Sequence, residues 1–399
     1  MSSGHKSAAV DPVAATAELV RTRGYAFSAH ETAADPVAGC AEALARYGFC
    51  VLDDVVAPDD VPLIRDEVDA AEASISRNMA AIREVLDAAV DGSPSVETMK
   101  AVLDKAPPGV ELRPVGRVGR PPKPPNDIIW LPRYAPYLAH PVITAVARRV
   151  LDDHLKIAQL HLRPIAAGSD AEPGGFGRAK YRGRADTREW HTDWPHDLSA
   201  YGSDQPLQNA GCIRQPFPDV TMCLVMIWYL TDVDADSAAT WVVPGSHRDP
   251  RNPRGPSDGI TVTAPIPGDM QVTAKAGSVF IQDSRTWHAS AMHNTSGRKR
   301  VAVVNRWCPW WLSVDDYAPG GVFNTVCRPL SLAEYNALPE NVQPFFRHVC
   351  PDVHDTLHPA VLDRAAAAAR RNRYGFEQLE KHADTVVDAN EHIRVPTKD

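Results

Sequence analysis

The sequence predicts a mainly β fold, a sandwich or jelly roll with flanking helices, on three observations. Short apolar stretches rich in β-branched and aromatic residues recur through the middle of the chain between turn-forming clusters. Thirty-five prolines in 399 residues argue for many loops rather than a helical bundle. Helical patterns precede these strands and follow them, as in folds that set helices around a sheet core.

Residues 1–34 are alanine-rich with scattered charge and read as a helix with a loose start. Ala41 to Tyr47 is a helix stopped by Gly48, and Phe49-Cys-Val-Leu-Asp53 is the strand that follows. Pro58 opens the helix of APDDVPLIRDEVDAAEASI, whose first turn holds acids where the helix dipole favours them. Residues 78–105 continue helically, and the proline- and glycine-rich residues 106–126 form an irregular loop. Val220 to Leu230 (VTMCLVMIWYL) fits a strand covered on both faces, with a buried helix as the alternative on pattern. Asp232 to Ser237 is a solvated turn, because its alternating acids lack the glycine and terminal glutamate of an EF-hand. Ala239 to Val243 is a strand, Pro244-Gly245 a sharp corner, and His247 a turn residue at that corner. Gly277 to Gln282 and Arg300 to Val304 are further strands, and a helix lies around Pro359 to Arg373.

Composition narrows the function classes. The chain is 44% hydrophobic and 23% charged, with a net charge of -8 from 42 Lys+Arg against 50 Asp+Glu. That balance lacks the basic footprint of a nucleic-acid binder. The longest apolar run, Met222 to Leu230, is too short for a bilayer, and the N-terminus MSSGHKSAAVDPVAA has no apolar core for a secretory signal. The seven cysteines are odd in number and form no CxxC, which points to reduced thiols and a cytoplasmic location. The expected partner is a small-molecule substrate, with neither nucleic acid nor membrane.

The stretch Arg188-Glu-Trp-His-Thr-Asp-Trp-Pro-His-Asp-Leu198 brings imidazole, carboxylate and indole together. In a strand, residues i and i+2 share a face, so His191 and Asp193 converge on one point. Joined by one more histidine, they would form the facial triad of non-haem Fe(II) oxygenases, which leaves coordination positions open. Taken alone, His-x-Asp in a chain with 15 histidines reads sooner as a surface contact than as a metal site. Downstream, Ala276 to His288 reads as strand, turn and histidine, followed by the turn Asn294-Thr-Ser-Gly297 and by Arg300 at a strand entry. A guanidinium there suits a carboxylate clamp. Ser290 shares the parity of His288, and Arg298 shares that of Arg300 and rivals it. His196 and Asp197, beyond the Pro195 turn, read as loop residues around the site. Trp190, Trp194 and Trp287 flank the candidate ligands and serve packing or line a pocket, whereas Trp307, Trp310 and Trp311 read as packing.

Trp241-Val-Val-Pro-Gly-Ser-His-Arg248, with HxD upstream and His288, Asn294 and Arg300 downstream, resembles the pattern of the phytanoyl-CoA dioxygenase-like Fe(II)/2-oxoglutarate oxygenases. Tyr47-Gly-Phe-Cys-Val-Leu-Asp-Asp-Val55 and the helix after it resemble that family's opening strand and helix. The resemblance spans roughly residues 40–315 in the right order. It implies a double-stranded β-helix (cupin-like jelly roll), with Fe(II) ligands at His191, Asp193 and His288 and a 2-oxoglutarate clamp at Arg300 and Ser290. The gap from His288 to Arg300 is one residue longer than the pattern, which keeps Arg298 in contention, but Arg300 is preferred because Val-Ala-Val-Val follows it directly and places it deeper in the barrel than a turn residue. The implied organisation is an N-terminal extension over 1–38, a dioxygenase domain over 39–330 and a C-terminal helical extension over 331–399 packed on it.

The implied reaction uses O2, decarboxylates 2-oxoglutarate and hydroxylates a small metabolite. The same iron site could serve desaturation, epimerisation or ring chemistry. A jelly roll that had lost its iron would be a binding protein instead, and a zinc cupin would be an isomerase or hydrolase. Retention of three ligands and an arginine favours the oxygenase. The glycine-rich stretch 168–186 concentrates Arg178, Lys180, Arg182 and Arg184 before the metal segment, with Arg188 just beyond it. Such a loop is a solvated surface, or a lid that recruits an anionic substrate.

Overall fold

A computed structural model describes residues 11–31, 34–87, 128–167, 188, 190–193, 219–249, 253, 264–289, 294–312 and 330–354. The helix expected to 105, the loop 106–126, the glycine-rich stretch 168–186 and the helix around 359–373 lie wholly or largely outside these residues.

Helix α1 (Pro12–Thr22) starts on an Asp11 cap that accepts from the Val13 amide, and strand β1 (Ala26–Ser28) follows it. Helix α2 (Pro36–Tyr47) ends at Gly48, whose φ of 85° is the left-handed stop that glycine supplies. Strand β2 (Phe49–Asp53) has the predicted bounds. Helix α3 (Asp60–Asp87) starts at Asp60 rather than Pro58, because residues 58 and 59 form a turn. Helix α4 (Pro141–Val150) leads into strand β3 (Leu155–Leu162). The apolar run after residue 220 is a strand, β4 (Leu224–Tyr229).

The segment expected over 239–243 is only two residues of strand, β5 (Trp241–Val242), because it is held between the two-residue strands β6 (Met270–Gln271) and β8 (His288–Ala289). Strand β7 is Val279–Asp283, and β9 is Ala302–Pro309, beginning two residues after Arg300. Six strands form one sheet in the order β1-β2-β7-β4-β9-β3, and three form the second in the order β6-β5-β8. All pairings are antiparallel except β1 with β2. This is a mainly β, double-stranded β-helix arrangement with flanking helices, its sheets not closed into a barrel.

Strand alternation divides the large sheet into two faces. Leu52, Met226, Trp228, Ile281, Val303 and Trp307 pack outward with Ile64, Val68, Ile143 and Val146 of the helices and with Phe345 and Phe346 of the C-terminal segment. The opposite face places Phe49, Val51, Tyr229, Phe280 and Ala302 against Val242 and Met270 of the second sheet and against Val272 just past β6. That apolar packing fills one end of the space between the sheets. Towards the other end, the same face carries Gln282 and Arg306, so polar chemistry collects there. Trp307 is buried as expected of a packing residue, but Trp310 and Trp311 are 54% and 53% exposed, since they lie past the end of β9. Among the described residues no helix is long and apolar enough to cross a membrane.

Candidate metal centre

His191 and His288 exchange backbone hydrogen bonds at 3.0 Å each way, so the segment around His191 runs antiparallel to β8 as a single bridge. The local form is therefore one extended bridge rather than the regular strand expected around His-x-Asp. The Asp193 amide donates to the Ser284 carbonyl at 2.9 Å, which turns its carboxylate towards both imidazoles. Nε2 of His191 lies 3.8 Å and Nε2 of His288 lies 3.5 Å from the Asp193 oxygens, and a potential ligand atom from each of the three residues falls within 4.8 Å of the others. Among the described residues this is the one such cluster of metal-ligating side chains.

The turn between β7 and β8 holds the centre in place. Nδ1 of His288 lies 2.9 Å from the Thr286 carbonyl, which accepts a hydrogen bond there and leaves Nε2 with a lone pair facing the cluster. The Thr286 hydroxyl donates to the Gly48 carbonyl at 2.9 Å, and the Asp283 amide donates to the same carbonyl at 2.8 Å. Ser246 accepts from the Trp287 amide at 2.8 Å, which ties in the PGSH corner, where Gly245 has φ 80°. His247 is buried beneath this turn, with Nε2 3.3 Å from the Ala45 carbonyl, and lies outside the cluster. Burial pulls its imidazole below the ordinary value, Arg285 and Arg248 add to that, and Asp283 opposes it.

Two arginines bear on the interior. Nη2 of Arg306, in β9, sits 2.9 Å from Oδ1 of Asp193. Arg300 is buried, and its Nη1 donates to the Ala238 carbonyl at 2.6 Å while Nε has no partner. Its burial pulls the guanidinium down from its ordinary value, with Tyr229 opposing. Arg298 is exposed and pairs with Asp234 across a surface turn. Asn294 spans that turn, donating to the carbonyls of Ile165, Ala166 and Arg298, and so fixes where the chain enters the sheet.

Trp190 and Trp287 are buried against Ala289 behind the second sheet, and Nε1 of Trp190 donates to the Ala264 carbonyl at 2.8 Å. Arg188, grouped by sequence with the basic loop, is buried instead: its guanidinium lies 3.4 Å from the Trp241 ring centroid and 3.4 Å from an Asp269 oxygen. Ser290, Trp194, Arg182, Arg184, His196 and Asp197 lie outside the described residues. Sequence reasoning missed Arg306; the signal was a lone charge at Arg300 parity within the apolar run VAVVNRW.

The donor set, two imidazole nitrogens and one carboxylate brought together, suits a divalent transition ion. Arg300, buried with an orphaned Nε, suits a dianionic cosubstrate. A double-stranded β-helix with a His–carboxylate–His cluster between its sheets defines the class as a metal-site jelly roll. Within that class the chain belongs to the phytanoyl-CoA dioxygenase (PhyH) family, whose pattern matches residues 44–302. The chain is also 35% identical, over 107 residues, to uncharacterized proteins of Mycobacterium bovis and Mycobacterium tuberculosis. That match covers 26% of this chain and 36% of each relative, so it spans about a third of their length. Among solved structures it is similar to HygX from Streptomyces hygroscopicus with nickel and 2-oxoglutarate bound, at 14% identity and a TM-score of 0.41 over 68% of this chain and 86% of that one. It is similar also to EctD from S. alaskensis in its apoform, at 17% identity and a TM-score of 0.40 over 72% and 81%. Likeness at that level bears on neither substrate nor reaction.

Proposed function

We propose that this chain is an Fe(II)- and 2-oxoglutarate-dependent dioxygenase that hydroxylates a small metabolite and releases succinate and carbon dioxide. One observation carries the reading: a ligand atom from each of His191, Asp193 and His288 lies within 4.8 Å of the others, in a chain of the PhyH family. These three residues would hold the ion. Iron bound there supplies activation of O2, with 2-oxoglutarate as the source of two electrons.

The protein's own residues supply the rest. Thr286 fixes the His288 tautomer, so that Nε2 is the ligating atom. Arg306 holds one Asp193 oxygen, which leaves the other for the metal. Arg300 would pair with the distal carboxylate of 2-oxoglutarate, helped by Ser290, because a buried guanidinium without a carboxylate needs an anion. Arg298, already paired with Asp234 at the surface, is the weaker candidate for that role. The apolar packing around Phe280 and Tyr229 keeps water from that end of the interior.

The test is anaerobic metal loading followed by an assay of 2-oxoglutarate-dependent succinate release. Wild type should bind one Fe(II), and alanine at His191, Asp193 or His288 should abolish both binding and turnover while circular dichroism shows a folded chain. Full activity in His288→Ala would show that the third ligand has been misassigned.

A further inference from the structure

Among the described residues, Lys156, Arg188 and Arg300 are the most completely buried cations, at 8%, 6% and 8% exposure. A buried charge without an opposite partner is costly, so each should have an anion. Arg188 has Asp269. Arg306, slightly more exposed, has Asp193. Among the described residues, neither Arg300 nor Lys156 has a carboxylate partner; Nε of Arg300 is buried and orphaned, while the mostly buried Lys156 makes no side-chain hydrogen bond and its ammonium keeps some contact with solvent. The reading above gives Arg300 to 2-oxoglutarate. Lys156 is left over.

Its position says what it could meet. Leu155 and Ile157 face the outer core, so Lys156 faces the interior with Ala158. It pairs across to Cys308, whose own cross-strand neighbour on the far side is Cys223, and Cys308 is two residues from Arg306 on the same face. Strand spacing puts the Lys156 and Arg306 backbones about 8 Å apart, and Arg306 touches the metal carboxylate. The same interior wall carries Gln282, which is fully buried with neither amide atom partnered.

We propose that Lys156 receives an anionic group, a carboxylate or phosphate, of the primary substrate, so that the substrate class is a small anion held along the β3–β9 wall beside the metal. An ammonium on a flexible stem serves as a point charge for either group. This rests on the iron and 2-oxoglutarate reading. It departs from the basic-loop idea by placing the recognition in the sheet itself.

The experiment is titration calorimetry on the Fe(II)- and 2-oxoglutarate-loaded protein under nitrogen, with benzoate, phenyl phosphate and neutral benzamide as probes. One or both anions should bind wild type and benzamide should not; the stronger anion identifies carboxylate or phosphate as the preferred group. Lys156→Met should weaken anion binding roughly tenfold or more, and Lys156→Arg should retain it. The affinity for 2-oxoglutarate, measured in the same way, should stay within about twofold in both variants. Anion binding that is absent in wild type, unchanged in Lys156→Met or matched by benzamide overturns the proposal. So does a roughly tenfold loss of 2-oxoglutarate affinity in Lys156→Met, which would give Lys156 to the cosubstrate instead. Failure of the underlying reading is distinct: wild type would then bind no 2-oxoglutarate in the presence of Fe(II).

Discussion

Arg306 grips the carboxylate of Asp193 at 2.9 Å, from the middle of a strand that the local sequence marks only as apolar. The pair is mostly buried, with both side chains 17% exposed. Through it the large sheet sets the orientation of a ligand whose backbone hangs from the turn after β7. Groups that orient metal ligands typically contribute about 10–100-fold in metal affinity or activity. Arg306→Gln should therefore weaken Fe(II) or Co(II) binding by about that factor, with Arg306→Lys intermediate. Equilibrium dialysis decides it, and an unchanged dissociation constant would make the contact incidental.

Arg300 and Arg298 differ in surroundings, not in strand parity. Arg300→Ala should raise the half-saturating 2-oxoglutarate concentration far more than Arg298→Ala, since breaking a buried charge pair costs about 3–5 kcal/mol. The Arg298–Asp234 pair is exposed on both sides, and such pairs contribute about 1 kcal/mol or less. Initial-rate measurements on both variants check the ranking. The reverse order would transfer the role to Arg298.

Gly48 is the point on which the turn carrying His288 rests. At φ 85°, a Cβ there would come 2.5 Å from Oγ1 of Thr286 and 2.7 Å from Nδ1 of His247. Gly48→Ala should destabilise the fold by more than about 1 kcal/mol. Because Thr286 orients His288, the surviving folded fraction should also bind metal more weakly. Denaturant melts and metal titration read the two effects separately, and a variant as stable as wild type would show that the turn can shift freely.

His247 should make stability depend on pH. When unfolded, its imidazole takes up a proton near the ordinary value of about 6.5, while burial in the folded chain holds it neutral to lower pH. Between those two values the unfolded chain binds more protons, so this contribution is full above about 6.5 and is lost as the pH falls. Thermal melts of metal-free protein from about pH 7.5 to about pH 5.5 should show that loss, and His247→Gln should flatten it. Identical slopes in the two proteins would discount His247.

The sequence by itself determined the elements whose signals are local. Strand β2 lies where glycine ends one helix and an apolar run begins, and the order HxD, PGSH, His288, Asn294, Arg300 marks the family and the candidate ligands. Residue spacing could place His191 and Asp193 on one face, but it could not say which long-range partner would hold them there. The run Val-Ala-Val-Val after Arg300 already placed it deeper than Arg298, but only the tertiary structure showed what fixes that difference: Asn294 and the Ile165 bridge set where the chain enters the sheet. It alone brought Arg306 to Asp193, and it alone left Lys156 mostly buried with no carboxylate partner among the described residues. It also exposed Trp310 and Trp311, for which the aromatic pattern implied packing. The reason is physical: a side chain's type and periodicity are properties of the chain near it, whereas burial and charge pairing belong to whichever distant strand is hydrogen-bonded alongside.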